Sequence, residues 1–200
     1  MLEIIEKMTS IDLIILLVTL SAYLALIIGI FKNNGKGQNF YIWAMWFLLD
    51  VILLKTTYNE HGTSVILISV CVVGSFFVSF SLFIKEKLEW GKYQIITFIL
   101  TIATVVIWLG SNDKYGIIFG VISQVIPGLL LMRESWKNPE PGWTLISYFL
   151  FFVGFTITTF KSPIWNIQNQ FFSVLMGLCT IGDIIPLILK LFKKIKGRRK

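Results

Sequence analysis

Seven stretches of this chain run for roughly 15 to 20 residues with almost no charge, about the length that spans a bilayer. They extend from about Ile11 to Phe31, Phe40 to Leu54, Ser64 to Ile84, Ile95 to Leu109, Gly116 to Met132, Trp143 to Phe160 and Phe171 to Phe192. Backbone amides in lipid have no water to bond, so segments of this length are helices. A β-barrel would show short alternating segments, whereas Ile14-Ile15-Leu16-Leu17-Val18 is unbroken. The second and fourth stretches are the shortest, and flanking Trp, Tyr and Lys residues are expected to complete them at the interface. The expected fold class is therefore all-α: a polytopic membrane protein with seven transmembrane helices forming one integral membrane domain over residues 1–200.

Composition narrows the function classes. Hydrophobic residues make up 56% of the chain and charged residues 14%, against about a quarter charged in soluble domains. The net charge of +7 suggests nucleic acid only until it is mapped. With the N-terminus outside, the cytoplasmic segments hold Lys32 and Lys36, then Lys85, Lys87 and Lys92, then Arg133 and Lys137, then seven basic residues from Lys190 to Lys200. The opposite side holds only Lys7, Lys55, Lys114 and Lys161. That asymmetry predicts an N-out, C-in orientation. The basic tail reads as a topology determinant and a contact for anionic lipid, with no nucleic-acid partner. The two cysteines, Cys71 and Cys179, both lie in apolar runs, and His61 is the one histidine. No disulfide framework, metal site, cofactor or histidine-based catalysis is expected from such a set.

The two ends of the chain share a layout. In each, a helix is followed by a short basic loop and an aromatic-rich start to the next helix: Lys36-Gly37-Gln38-Asn39-Phe40-Tyr41-Ile42-Trp43, and Lys137-Asn138-Pro139-Glu140-Pro141-Gly142-Trp143-Thr144. This predicts a first three-helix repeat over 9–85, a linker helix over 92–110, a second repeat over 115–192, and a basic cytoplasmic tail over 193–200. One intervening helix makes the two repeats parallel.

The stretch Ser123-Gln124-Val125-Ile126-Pro127-Gly128, followed by Arg133-Glu134-Ser135-Trp136-Lys137-Asn138 and Gly142-Trp143-Thr144, resembles the second repeat of the PQ-loop and SWEET-like (MtN3) superfamily. Gly128 stands where that motif has Gln, and the first helix has no proline. The resemblance implies a three-one-three plan and carriage of a small polar solute such as a sugar, an amino acid or a vitamin-like compound.

Several residues are candidates for that work. Asp50 lies inside Trp46-Phe47-Leu48-Leu49-Asp50-Val51-Ile52-Leu53-Leu54, where an ionised, lipid-facing carboxylate would cost roughly 3 kcal/mol or more. Asn39, Trp43, Trp46 and Asp50 recur at steps of four, three and four, which places them on one helix face. With Gln124 and Ser147 they form the expected substrate-binding set. Asp183, inside Cys179-Thr180-Ile181-Gly182-Asp183-Ile184, is the second intramembrane acid, and Asp50 and Asp183 are the expected proton-coupling residues. The plainer alternatives pair Asp50 with Lys55 and Asp183 with Lys190. Pro127 removes the helical donor to the carbonyl of Ser123 and Pro186 that to Gly182, so both are candidate hinges. The expected function is a small secondary transporter or facilitator, not an enzyme, in a bacterial inner membrane, with its C-terminus cytoplasmic and homo-oligomerisation open. The alternative is a non-transporting accessory subunit or lipid-binding scaffold.

Overall fold

The structure is a computed structural model that describes residues 9–59, 64–85, 88, 91–110, 113–140, 142–161 and 167–197. Seven helices form among them: α1 Ser10–Asn33, α2 Phe40–Asn59, α3 Val65–Ile84, α4 Lys92–Gly110, α5 Asp113–Lys137, α6 Trp143–Lys161 and α7 Ile167–Gly197. Six of the seven are long and apolar enough to cross a membrane; the apolar part of α4, Gln94–Trp108, is shorter. The second stretch gains its length from Lys55 to Asn59, which continue α2 beyond the apolar run. Likewise α7 runs on to Gly197, so residues 193–197 of the basic stretch are helical. Of the basic residues that predict the orientation, Lys7, Lys87, Arg198, Arg199 and Lys200 lie outside the described residues.

Local chemistry sets the helix ends. At the start of α1 the Thr9 side chain accepts from the Asp12 backbone N–H, and Asp12 accepts from the Thr9 backbone N–H at 3.0 Å. This is a reciprocal capping box. At its other end Asn34 (φ 50°) and Gly35 (φ 64°) turn left-handed, and the Gly35 N–H closes on the Ile30 carbonyl. Asn39 caps α2 by accepting from the Tyr41 N–H at 2.9 Å. Hydroxyls within the helices bond back one turn: Ser75 to Cys71, Ser79 to Ser75, Thr101 to Thr97 and Thr159 to Phe155. In this way polar side chains are accommodated in apolar helices.

The exterior of the bundle is apolar, and its interior mixes apolar side chains with buried polar ones. Leu17, Leu24, Phe31, Phe77, Phe80, Phe149 and Phe160 are exposed, whereas Asp12, Asp50, Ser75, Gln124, Ser173 and Asp183 are buried. So large an apolar exterior suits lipid and not water. The chain is an all-helical, membrane-embedded bundle. Helix α3 lies between α1 and α2, α7 lies between α5 and α6, α1 packs on α6, α2 packs on α5, and α4 sits against α5 and α2. The α1–α6 seam is close. A Cβ on Gly154 would stand 2.7 Å from the Thr19 hydroxyl, and one on Gly29 would stand 3.2 Å from Trp143 Cβ.

Side-chain contacts define two ends. At one, Lys161 of α6 forms an ion pair with Asp12 of α1 and Lys55 of α2 lies over the Trp108 ring of α4. At the other, Lys32 lies over Trp143, Lys85 lies over Phe31, and Lys190 meets Glu140 and the Pro139 carbonyl.

Candidate functional site

Where α2 packs on α5 and α6 on α7, a chamber of about 40 Å³ remains, lined by both Asp50 and Asp183. Such a volume holds a few waters or one small polar group. Trp43, Trp46 and Gln124 also line it. The rest of the wall is aromatic and sulfur-rich, with Cys71, Met176 and Cys179 beside the rings and Leu131 and Thr180 completing it. Tyr23 stands edge-on to Phe151 at 4.6 Å, Phe151 stacks on Phe155, and Phe155 meets Phe172 edge-on at 5.9 Å.

Asp50 is 3% exposed and held on both oxygens. Gln124 Nε2 donates to Oδ1 at 2.8 Å and Ser75 Oγ donates to Oδ2 at 3.1 Å. Trp46 adds a second tie between α2 and α5, its indole N–H donating to the Gln124 carbonyl at 3.1 Å. That carbonyl is one residue past Ser123, whose own helical donor Pro127 removes. Lys55 is engaged at the Trp108 ring, so the pairing of Asp50 with Lys55 is replaced by neutral donors. Sequence inspection alone does not single out Ser75, because a serine in an apolar helix normally bonds its own backbone, as Ser75 also does to Cys71.

Asp183 differs. It is 4% exposed, and its Oδ1 is buried with no hydrogen-bond partner. Ser135 of α5 and Tyr148 of α6 stand beside its carboxyl. Lys190 turns away to Glu140 and the Pro139 carbonyl, so the pairing of Asp183 with Lys190 is also replaced.

Two members of the sequence-predicted binding set fall outside the chamber. Asn39 precedes α2 and does not share its face with Trp43, Trp46 and Asp50; it lines a separate polar recess of about 340 Å³ with Lys36, Gln38, Gln94 and Glu134. Ser147 is fully buried with its hydroxyl unpartnered, and its neighbour Tyr148, with Phe151 and Phe155, reaches the chamber from α6. Pro127 and Pro186 both lie inside continuous helices. Gly128, where the PQ-loop motif has Gln, has no room for a long side chain. A Cβ there would lie 3.3 Å from Cys179 Sγ and 3.7 Å from Trp46 Cζ2, both in the chamber wall.

Gln38 joins the recess to the chamber. It lines the recess, accepts from Trp43 Nε1 at 2.8 Å and donates to the Tyr148 hydroxyl at 3.0 Å, and both of those partners line the chamber. One amide thus stands between the two spaces, bonded to the wall of the chamber from the recess side. On the opposite wall a Cβ on Gly74 of α3 would fall 2.2 Å from the Tyr23 ring, so the ring lies directly on the helix backbone.

No family model, curated protein or solved structure matches the chain.

Proposed function

We propose that this chain is a small secondary transporter or facilitator that moves a small polar solute across a membrane, with Asp50 and Asp183 coupling the movement to protons. The observation that carries the reading is that two buried carboxyls, one from α2 and one from α7, line the same chamber. Acids so placed are costly in a membrane unless they serve a pathway. The helix packing supports treating α1–α3 and α5–α7 as parallel repeats joined by α4. Exchanging the two sets turns the α1–α3, α2–α3 and α1–α6 contacts into α5–α7, α6–α7 and α5–α2, and all six pairings occur. A chamber at the seam between such sets is where alternating access operates.

In this reading the chain is N-out and C-in, set by the basic residues at the end that carries Lys32, Lys85 and Lys190. The exposed Lys193, Lys194 and Lys196 on the last turns of α7 then meet anionic lipid at the cytoplasmic face. A chamber of about 40 Å³ is too small for a sugar, so in this reading the helices part to admit one, and the Asp12–Lys161 and Gln38–Tyr148 contacts are the ties that would have to yield at the two ends.

Uptake into proteoliposomes of a panel of sugars, amino acids and vitamin precursors, with and without a pH gradient, tests the proposal. Saturable uptake that falls at least tenfold in Asp50→Asn or Asp183→Asn is expected, and a Trp46→Cys side chain protected from a water-soluble thiol reagent by the same solute. Flux equal to that of empty vesicles across the panel overturns it. The second reading, a lipid-binding scaffold, is favoured by an apolar groove between α2 and α3 lined by Phe40, Phe47, Phe76, Phe80 and Phe83. It predicts tightly co-purifying lipid and no flux.

A further inference from the structure

We propose that the chamber holds a compact primary ammonium group on Asp183; the inference names a solute class for the transport reading above, and rests on that reading only for the claim that the cation is carried.

The argument begins with charge. Among the described residues, those lining the chamber include Asp50 and Asp183 and no Lys, Arg or His. Phosphate, carboxylate or any other anion would meet two acids with no cation opposite.

The second observation is a count of hydrogen-bond donors and acceptors. Both indole N–H donors of the wall and one of the two Gln124 amide hydrogens are already committed within the protein: Trp43 to Gln38, Trp46 to the Gln124 carbonyl, and Gln124 to Asp50. The Thr180 hydroxyl is bonded back to Met176. What remains open is an acceptor, Asp183 Oδ1, buried and without a partner. A buried polar atom in this condition calls for a donor. A polyol would bring several hydroxyl oxygens that themselves need donors, and the wall has few to offer: the second N–H of Gln124 and the hydroxyls of Tyr23 and Tyr148. A primary ammonium brings three donors and no acceptor, so it fits what is open and demands nothing that is used up.

The third observation is the rest of the wall. Around the two acids the surface is aromatic, and ring faces attract an ammonium group that has shed its water. A hard metal ion requires roughly six oxygen ligands in a shell, and a wall of Tyr, Trp and Phe does not supply them. The two acids differ in what each leaves open: Asp50 already accepts from Ser75 and Gln124, whereas Asp183 keeps an oxygen for the solute. A cation with more than a few heavy atoms requires the chamber to open, because its present space is about 40 Å³.

The test uses the full chain, purified in detergent, with radiolabelled ethylammonium as the probe in an equilibrium binding assay. Unlabelled n-propanol, tetramethylammonium and Na⁺ serve as competitors. Ethylammonium is expected to bind saturably and to outcompete n-propanol by at least tenfold. Tetramethylammonium, a cation without a donor, is expected to compete more weakly. Asp183→Asn should weaken ethylammonium binding at least tenfold while eluting as a monodisperse, folded species, and Asp183→Glu should recover part of the affinity. Equal competition by n-propanol, displacement by Na⁺ at equal concentration, or unchanged affinity in Asp183→Asn each overturns the inference. A parallel flux arm separates it from the transport reading. Ethylammonium that binds but is not accumulated by vesicles leaves the site standing and removes transport. A neutral solute that is carried while ethylammonium fails to bind leaves transport standing and removes the site.

Discussion

Asp50 has a donor on each oxygen, while Asp183 keeps one oxygen open, although both are buried in the wall of the same chamber. Their substitutions should therefore differ. Asp50→Ala strands the Gln124 amide, and unsatisfied buried donors cost about 1–3 kcal/mol. Loss of about 2 kcal/mol is expected, seen as a lower midpoint in thermal unfolding of the detergent-solubilised protein. Asp183→Ala leaves no committed N–H donor behind, and its effect on the same midpoint is expected to stay within about 1 kcal/mol. Equal losses would show that the two acids are held alike. The sequence makes both acids conspicuous, since each interrupts an apolar run. It does not reveal their partners, because Ser75 and Gln124 lie 25 and 74 residues from Asp50 and each is an unremarkable polar residue in its own helix.

At the scale of the helix, the errors in the sequence-predicted site are errors of phase and of boundary. Steps of four, three and four place Asn39, Trp43, Trp46 and Asp50 on one face only if the helix already includes Asn39. It begins at Phe40, and Asn39 turns back to cap it. On α6 the miss is a single residue, about 100° of rotation. Ser147 stands among apolar and aromatic neighbours on every side, so nothing in the local pattern says which face looks inward. Lipid accepts apolar residues as readily as a protein core does, and the amphipathic contrast that phases a helix in water is lost. The Gln38 linkage between α2 and α6 was invisible for the same reason: a glutamine in a loop carries no periodic signature. Gln38→Ala removes its bonds to Trp43 and Tyr148, about 1 kcal/mol each. The open population should rise roughly 10- to 30-fold. Cys71 and Cys179 line the chamber and are the only cysteines in the chain. Their labelling by a water-soluble thiol reagent should accelerate correspondingly, and unchanged labelling would show that Gln38 closes nothing.

Across the whole molecule, the seven helices were legible because the absence of charge is a physical requirement of the bilayer and not a statistical preference. Which helix packs on which was not legible, since an apolar surface does not name its neighbour. The structure resolves that in part by small residues, with Gly29 and Gly154 letting α1 and α6 approach closely, and in part by one ion pair. Lys161 and Asp12 side chains are 17% and 4% exposed, and they join the last turn of α6 to the first turn of α1. Removing one partner of such a pair leaves a poorly solvated charge. Lys161→Met is expected to destabilise the protein by about 2–3 kcal/mol and to loosen the seam at that end, with faster thiol labelling from that side of the membrane in sealed vesicles. The double swap Asp12→Lys with Lys161→Asp should restore much of both. A single variant that unfolds and labels like the unaltered chain would make the pair incidental.

Tyr23 rests its ring on bare backbone at Gly74, where a methyl group would already be 2.2 Å from a ring carbon. The size of the chamber is therefore governed from behind its wall. Any residue larger than glycine at position 74 drives the Tyr23 ring inward, toward Trp43 and Phe151, and takes up the little space there is. Related chains need not alter a single solute-contacting atom to change what fits: one codon on the far side of a tyrosine acts as the adjusting screw. The range of molecules such a protein handles can thus drift between descendants whose lining residues are identical.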